Sequence, residues 1–178
     1  MQMSDLKGRM IRAAKLDVQL YEEVEADTGA LRQAMTVVIL SSIAAGIGSI
    51  GLGGFRGIVF GILFSLAGWY LWAFITYFIG AKIFPEAQTM TDHGELLRTI
   101  GFSSSPGLIR IFGIIPFMTG IVFFISSVWM FVAMVVAVRQ ALDYKSTVRA
   151  VGVCLIGWLV QALILALFFV VLGIKPAV

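Results

Sequence analysis

The sequence predicts an all-α integral membrane protein with five transmembrane helices, the third kinked near Pro106, preceded by an amphipathic N-terminal helix. Three observations predict it. Long apolar runs free of Asp, Glu, Lys and Arg follow one another from Met35 to Gly173, charge gathers between them, and 60% of the 178 residues are hydrophobic against 13% charged. A hydrocarbon core about 30 Å thick is crossed by about 20 apolar residues rising about 1.5 Å each. Such a composition leaves too little polar surface for a soluble domain.

The net charge of +3 is spread among loops, the pattern of membrane orientation, so nucleic acid is not expected as a partner. Cys154 is the one cysteine and lies inside an apolar run, which rules out an intrachain disulfide. The first 34 residues are charged, so no cleavable leader is expected.

Residues 1–29 form the first unit. Ser4 is expected to cap a helix on which Leu6, Met10, Ala13, Leu20 and Val24 fall roughly on one side, giving an amphipathic helix on the cytoplasmic membrane surface. Its charges run against the helix dipole, with Lys7, Arg9, Arg12 and Lys15 early and Glu22, Glu23, Glu25 and Asp27 late. Compensation is expected from outside the helix, from anionic headgroups at the basic end and from a partner or another loop at the acidic end. A simply solvated polar face is the plainer alternative.

Residues 30–178 form the membrane domain, with spans over about 34–50, 58–83, 94–113, 116–138 and 147–172. Asp27-Thr28-Gly29 breaks the leading helix, and a turn from Gly51 to Gly57 carries Arg56. A polar stretch with Glu86, Asp92 and His93 follows Pro85, and Arg139, Asp143, Lys145 and Arg149 separate the last two spans. The third span holds Ser103, Ser104, Ser105 and Pro106; Pro106 has no N–H for the Phe102 carbonyl, so the helix is expected to kink or break there. Basic residues favour a full crossing. With five spans and the N-terminus inside, ten Lys and Arg lie inside and only Arg56, Arg110 and Lys175 outside; four spans give nine against four. The C-terminus is then outside.

Gly46-Ile47-Gly48-Ser49-Ile50-Gly51 has the letters of a dinucleotide fingerprint, but it ends a membrane span instead of joining a strand to a helix. Gly46, Gly48, Gly57 and Gly61 are read as helix-packing positions. His93 lacks a metal-ligand pattern and reads as a loop histidine, so no metal and no cofactor is expected. Ser103 to Ser105 lack a positioned base, which argues against a serine nucleophile and for satisfaction of backbone groups freed by Pro106. Gln161 is the most polar side chain in the four clear spans and reads as an interhelical hydrogen bond; Trp69, Trp72, Trp129 and Trp158 read as packing. Glu95 with Arg98, and Arg139 with Asp143, are spaced for ion pairs on one helix face.

The stretches Tyr21-Glu22-Glu23-Val24-Glu25, Glu95 to Pro106 within HGELLRTIGFSSSPGLI, and Arg139-Gln140-Ala141-Leu142 within AVRQALDYKSTVRA resemble the Yip family (Ypt-interacting proteins) in its prokaryotic branch. The resemblance covers roughly Asp17 to Leu172 and implies five spans with a cytoplasmic N-terminus. It also implies a membrane adaptor; eukaryotic members interact with small prenylated GTPases in vesicle traffic. Two departures limit it. The aspartate-leucine-tyrosine-glycine-proline element is absent before the first span, and Gly101-Phe102 stands where glycine-tyrosine is usual.

The function expected is therefore non-enzymatic, in the prokaryotic inner membrane, by assembly with itself, other membrane proteins or a cytoplasmic protein. The expected partner face is Glu22, Glu23, Glu25, Asp27, Arg139 and Lys145. The alternative is a small transporter, channel or lipid-moving protein using the kink, with Glu95, Arg98, Gly101, Phe102, Ser104 and Pro106 as its residues. An accessory subunit of a larger membrane complex is the second alternative.

Overall fold

The computed structural model describes residues 5–171, without the side chains of residues 51–53, 55, 56, 169 and 171. Ser4, the side chain of Arg56, and the end of the last expected span at residue 172 lie outside that description. The described residues are helical throughout their regular structure: α1 (Leu6–Ala14), α2 (Val18–Ala26), α3 (Ala30–Gly48), α4 (Ile50–Tyr77), α5 (His93–Phe102), α6 (Thr119–Ala141) and α7 (Thr147–Val171). A π-helical turn, Phe78–Ile83, extends α4, and a 3-10 helix, Ser105–Ile114, follows α5. Among the described residues four helical stretches are long and apolar enough to cross a membrane: Ala30–Gly48, Gly57–Ile83, Thr119–Ala141 and Thr147–Phe168. Their outward faces are apolar, with Phe64 70% and Phe124 71% exposed, as suits lipid.

The expected single N-terminal helix is two helices folded back on each other. Leu16 adopts φ 63° between them, and Asp17 caps α2 by accepting from the Gln19 N–H at 3.0 Å. The fold-back resolves the adverse polarity of charge within the hairpin itself, because it lays the basic first helix beside the acidic second one. The hairpin is docked on the bundle. Leu20, Tyr21 and Val24 are fully buried in a core shared with Ala34 and Val37 of α3, Phe102 of α5 and Ala137 of α6. Burial of such side chains is worth about 2 kcal/mol each where they would otherwise meet water. The C-terminal carbonyl of α1, on Ala14, accepts from Trp129 Nε1 at 2.8 Å, midway along α6.

A second core joins Trp72 and Ile75 of α4, Leu96 and Ile100 of α5, Val138 and Leu142 at the end of α6, and Cys154 of α7. Two features of the bundle depart from regular α-helix. The Tyr144 hydroxyl lies 2.9 Å from the Gly80 carbonyl and 2.6 Å from that of Phe84, supplying carbonyls left over by the π turn with a donor. Gly54 has φ 57° and ψ −166°, which interrupts α4 near its start and marks the reversal out of α3.

The segment from His93 to Ile114 lies alongside α3 for most of its length. A Cβ on Gly101 would stand 2.7 Å from Ala34 Cβ, one on Gly107 would collide with Ser41 Oγ, and one on Gly48 would collide with the Arg110 carbonyl; Gly113 faces the Gly48 carbonyl. Small residues therefore recur every seventh position on α3 (Ala34, Ser41, Gly48) against every sixth on the other side (Gly101, Gly107, Gly113). Seven residues make about two α-helical turns and six make about two 3-10 turns, so both rows stay on the contact line. The two segments run in the same direction, and the seam follows about 21 Å of α3.

The break between them is satisfied locally. The Phe102 carbonyl, which Pro106 cannot serve, accepts from Ser105 Oγ at 2.7 Å, and the Ile100 carbonyl accepts from Ser103 Oγ at 2.7 Å.

Candidate functional site

Two regions gather polar side chains. The first lies at the end of the bundle where α3 begins. Arg9, 8% exposed, is its hub: its guanidinium reaches Glu23 at 2.8 Å, Asp27 at 2.9 Å, Asp5 at 3.1 Å and the Gln33 side chain at 2.8 Å. Arg12 adds Asp17 at 2.7 Å and Glu23 at 2.6 Å. Hydrogen bonds from Arg12 and then Arg9 hold the Glu23 carboxyl below its ordinary range, and Arg12 does the same for Asp17. For Arg9, burial opposes the charge, but Asp27 and Glu23 outweigh it and raise its pKa.

Of the expected partner face, then, Glu23 and Asp27 are occupied within the chain. Glu22 is exposed and accepts from Gln140 Nε2 at 2.9 Å. Glu25 is half-buried, and burial first, then the negative charges of Glu95 and Asp143, push its carboxyl up to about 7. Arg139 Nε donates to the Tyr144 carbonyl at 3.2 Å, and the exposed Lys145 donates its backbone N–H to Glu86 at 3.2 Å. That contact holds the Glu86 carboxyl low, ahead of Gln88 and Arg149.

The two expected helix ion pairs are not made. Glu95 turns back to the Asp92 N–H at 2.9 Å while Asp92 accepts from the Glu95 N–H at 2.8 Å, a reciprocal cap that starts α5. Arg98 is left to reach α2, where Nε donates to the carbonyls of Val24 and Glu25 at 3.0 Å each and Nη2 donates to Glu25 again. These are the C-terminal carbonyls of α2, which a helix leaves unpaired and which favour a cation. Asp143 sits at φ 53° in the turn after α6, where Arg139 binds the Tyr144 carbonyl instead. His93 is the first residue of α5 and not a loop residue; its ring stands edge-on to Tyr70, Phe74 and Tyr77 at 5.0, 5.9 and 6.4 Å.

The second region is a cavity of about 500 Å³ between α3, α4, α6 and the broken segment. Ser104 lines it at the break, and Gly57 and Gly61 form part of its α4 wall. A Cβ on either glycine would meet nothing within 4 Å among the described residues. At Gly46 a Cβ would stand 2.7 Å from Ile58, and Gly48 lies on the seam. Gly101, Phe102 and Pro106 are buried in the bundle and hold the break in place.

Arg9 and Arg110 were not singled out by sequence as functional positions. For Arg110 a signal existed, because an arginine between Leu108-Ile109 and Ile111-Phe112 sits inside an expected span; it counts there only as an outside charge. For Arg9 the local signal is Asp5 alone, four residues before it; Glu23, Asp27 and Gln33 lie 14 to 24 residues away. Among the described residues no cluster of three His, Cys, Asp or Glu has the makings of a metal site. No protein-family model matches the chain, and neither a curated protein nor a solved structure similar to it was found.

Proposed function

We propose that the chain is a five-span, non-enzymatic protein of the prokaryotic inner membrane, related to the Yip adaptors, that acts by assembly through the end of the bundle where α3 begins. The observation that carries this reading is convergence. The three stretches behind the Yip resemblance are far apart in sequence, yet Arg98 of the second bonds Val24 and Glu25 of the first, and Gln140 of the third bonds Glu22 of the first. A platform tied together from separate segments is a rigid polar surface of the sort a partner docks on. The seam between α3 and the broken segment supports a third crossing, because a segment lying beside a spanning helix traverses the same thickness. With three parallel crossings from that end, the preference of Lys and Arg for the inner side supports a cytoplasmic platform.

Glu22 and Lys145 are exposed on this platform, so charge reversal of both (E22K with K145E) leaves the internal Arg9 network intact. The expected result is unchanged membrane insertion with loss of proteins crosslinked to the wild-type chain. An unaltered set of crosslinked proteins removes the platform from the account.

A second reading, movement of a small solute or lipid through the membrane, is favoured by the cavity beside Ser104. Its test is flux across reconstituted vesicles, expected to fall on substitution of Ser104 or Pro106.

A further inference from the structure

The cavity has an unusual balance of hydrogen-bonding groups. Its described lining offers donors and hydroxyls and includes no Asp, Glu, Asn or Gln. Arg110 projects its charge there with little to neutralise it: Nη2 lies 3.2 Å from Ser127 Oγ, the guanidinium stands 5.4 Å from the centre of the Phe123 ring, and Nε is buried without an acceptor. Among the described residues no carboxylate pairs with it. Trp72, on the α4 side of the cavity, has a buried Nε1–H that is also without an acceptor among the described residues. A cation and an N–H left unpaired among apolar helices are costly, and charge at such depth marks functional positions.

The free hydroxyls point to the same ligand. Ser41 of α3, Ser65 of α4 and Ser104 at the break line the space, and their hydroxyls make no hydrogen bond among the described residues. With Arg110 and Ser127 they approach from four segments of the bundle, which suits a tetrahedral oxyanion better than a flat carboxylate. Trp69, Phe131 and Met134 add an apolar wall, and about 500 Å³ is the size of a site for a small molecule with a polar head.

We propose that this cavity binds a net-anionic phosphate group, carried by a lipid headgroup or free in solution, with Arg110 as its counter-charge. The inference uses the cavity of the second reading above and not the platform, and it requires binding without requiring flux. Flux without saturable binding of either anionic probe overturns this inference and leaves that reading; binding without flux does the reverse.

The test uses the full chain in phosphatidylcholine nanodiscs, titrated in one arm with inorganic phosphate and in the other with short-chain phosphatidylglycerol, with short-chain phosphatidylcholine as reference. Tryptophan fluorescence and thermal stability are read. Saturable binding of either anionic probe is expected, weaker by at least about tenfold in R110M, which removes a guanidinium fork and its charge. A response to phosphatidylglycerol alone assigns the site to lipid; a response to inorganic phosphate assigns it to the free anion. R110M is also expected to be at least as thermostable as the wild type without ligand, because it removes an unneutralised charge.

G61L provides a second variant, since a Cβ at this cavity-lining position meets nothing within 4 Å among the described residues and a leucine there takes up cavity space. It is expected to lose binding while keeping the wild-type helical signal. The inference is overturned if neither probe binds, if phosphatidylcholine binds equally, or if R110M and G61L each bind within about twofold of the wild type. Should R110M fail to fold, G61L alone decides between the two outcomes.

Discussion

Arg98 and Glu25 meet through the backbone: Arg98 Nε donates to the Glu25 carbonyl at 3.0 Å, and the Glu25 carboxyl makes no ion pair among the described residues. The groups acting on that carboxyl are Glu95 from α5, Asp143 from the turn after α6, and Glu22 on its own helix, with Arg98 pulling the other way. Burial and these like charges together push it up to about 7, from an ordinary value of 4.5. Between those two pH values the folded chain holds a proton that the unfolded chain has released. Stability therefore falls as pH rises through that window, and the penalty is complete above about 7.

The first prediction follows from that sign. E25Q is expected to flatten the decline between pH 5 and 7 and to exceed the wild type at pH 8 by about 2 kcal/mol, with allowance for screening by the water Glu25 still touches. Denaturation of detergent-solubilised protein across this range checks it. A slope shared by E25Q and the wild type assigns the pH dependence elsewhere. Glu23 and Asp17, held low by arginines, act in the opposite sense and only below their ordinary carboxylate range, so they do not confuse this window.

Arg9 is predicted to hold the N-terminal hairpin on the bundle. R9M leaves Glu23, Asp27 and Gln33 without their shared donor and is expected to cost about 2 to 3 kcal/mol, near the low end for breaking a buried ion pair because the carboxylates are partly exposed. Limited proteolysis between α2 and α3 is the measurement, with cleavage accelerated at least about tenfold. K7M, at an exposed lysine of the same helix, is the matched control and is expected to cleave at the wild-type rate.

Glycines of equal appearance in sequence are predicted to behave oppositely. G101A places a methyl 2.7 Å from Ala34 Cβ and 3.2 Å from its backbone, so α3 and α5 must separate; a loss of about 1 to 3 kcal/mol is expected. G48A meets the Arg110 carbonyl, a backbone atom that cannot rotate away, and is expected to be at least as harmful. G61A enters open space in a helix interior and is expected to be neutral or stabilising by up to about 1 kcal/mol. Melting temperatures of the three variants decide it; equal losses at all three positions contradict the seam.

The third crossing is predicted by placing reporters at both ends of the chain. A reporter at the N-terminus is expected to respond on the cytoplasmic side and one at the C-terminus on the outer side, as an odd number of spans requires. Both reporters on one side would mean that the segment from His93 to Ile114 returns to the face it entered from.

Much of this was legible in one dimension. The runs that become Ala30–Gly48, Gly57–Ile83, Thr119–Ala141 and Thr147–Phe168 are visible because crossing lipid demands length and apolarity, and both can be counted along a chain. The place where α5 stops is legible at Pro106, because a missing N–H is a property of the residue itself. Which of four similar glycines has a close neighbour was not legible: a Cβ at Gly46 or Gly48 would meet another segment, while one at Gly57 or Gly61 would meet nothing within 4 Å among the described residues.

What the sequence by itself determined is the membrane class, the positions of the four long apolar helices and the interruption after Phe102. What only the tertiary structure decided is which faces meet: that α1 folds back so that Arg9 neutralises Glu23 and Asp27, that Arg98 caps α2 instead of pairing with Glu95, and that Arg110 borders a cavity. The physical reason is that a helix made for lipid is apolar all round. In a soluble protein the hydrophobic stripe tells which side is buried; here that stripe is missing, and the inward face is set by small residues and scattered charges whose partners are far away in the chain.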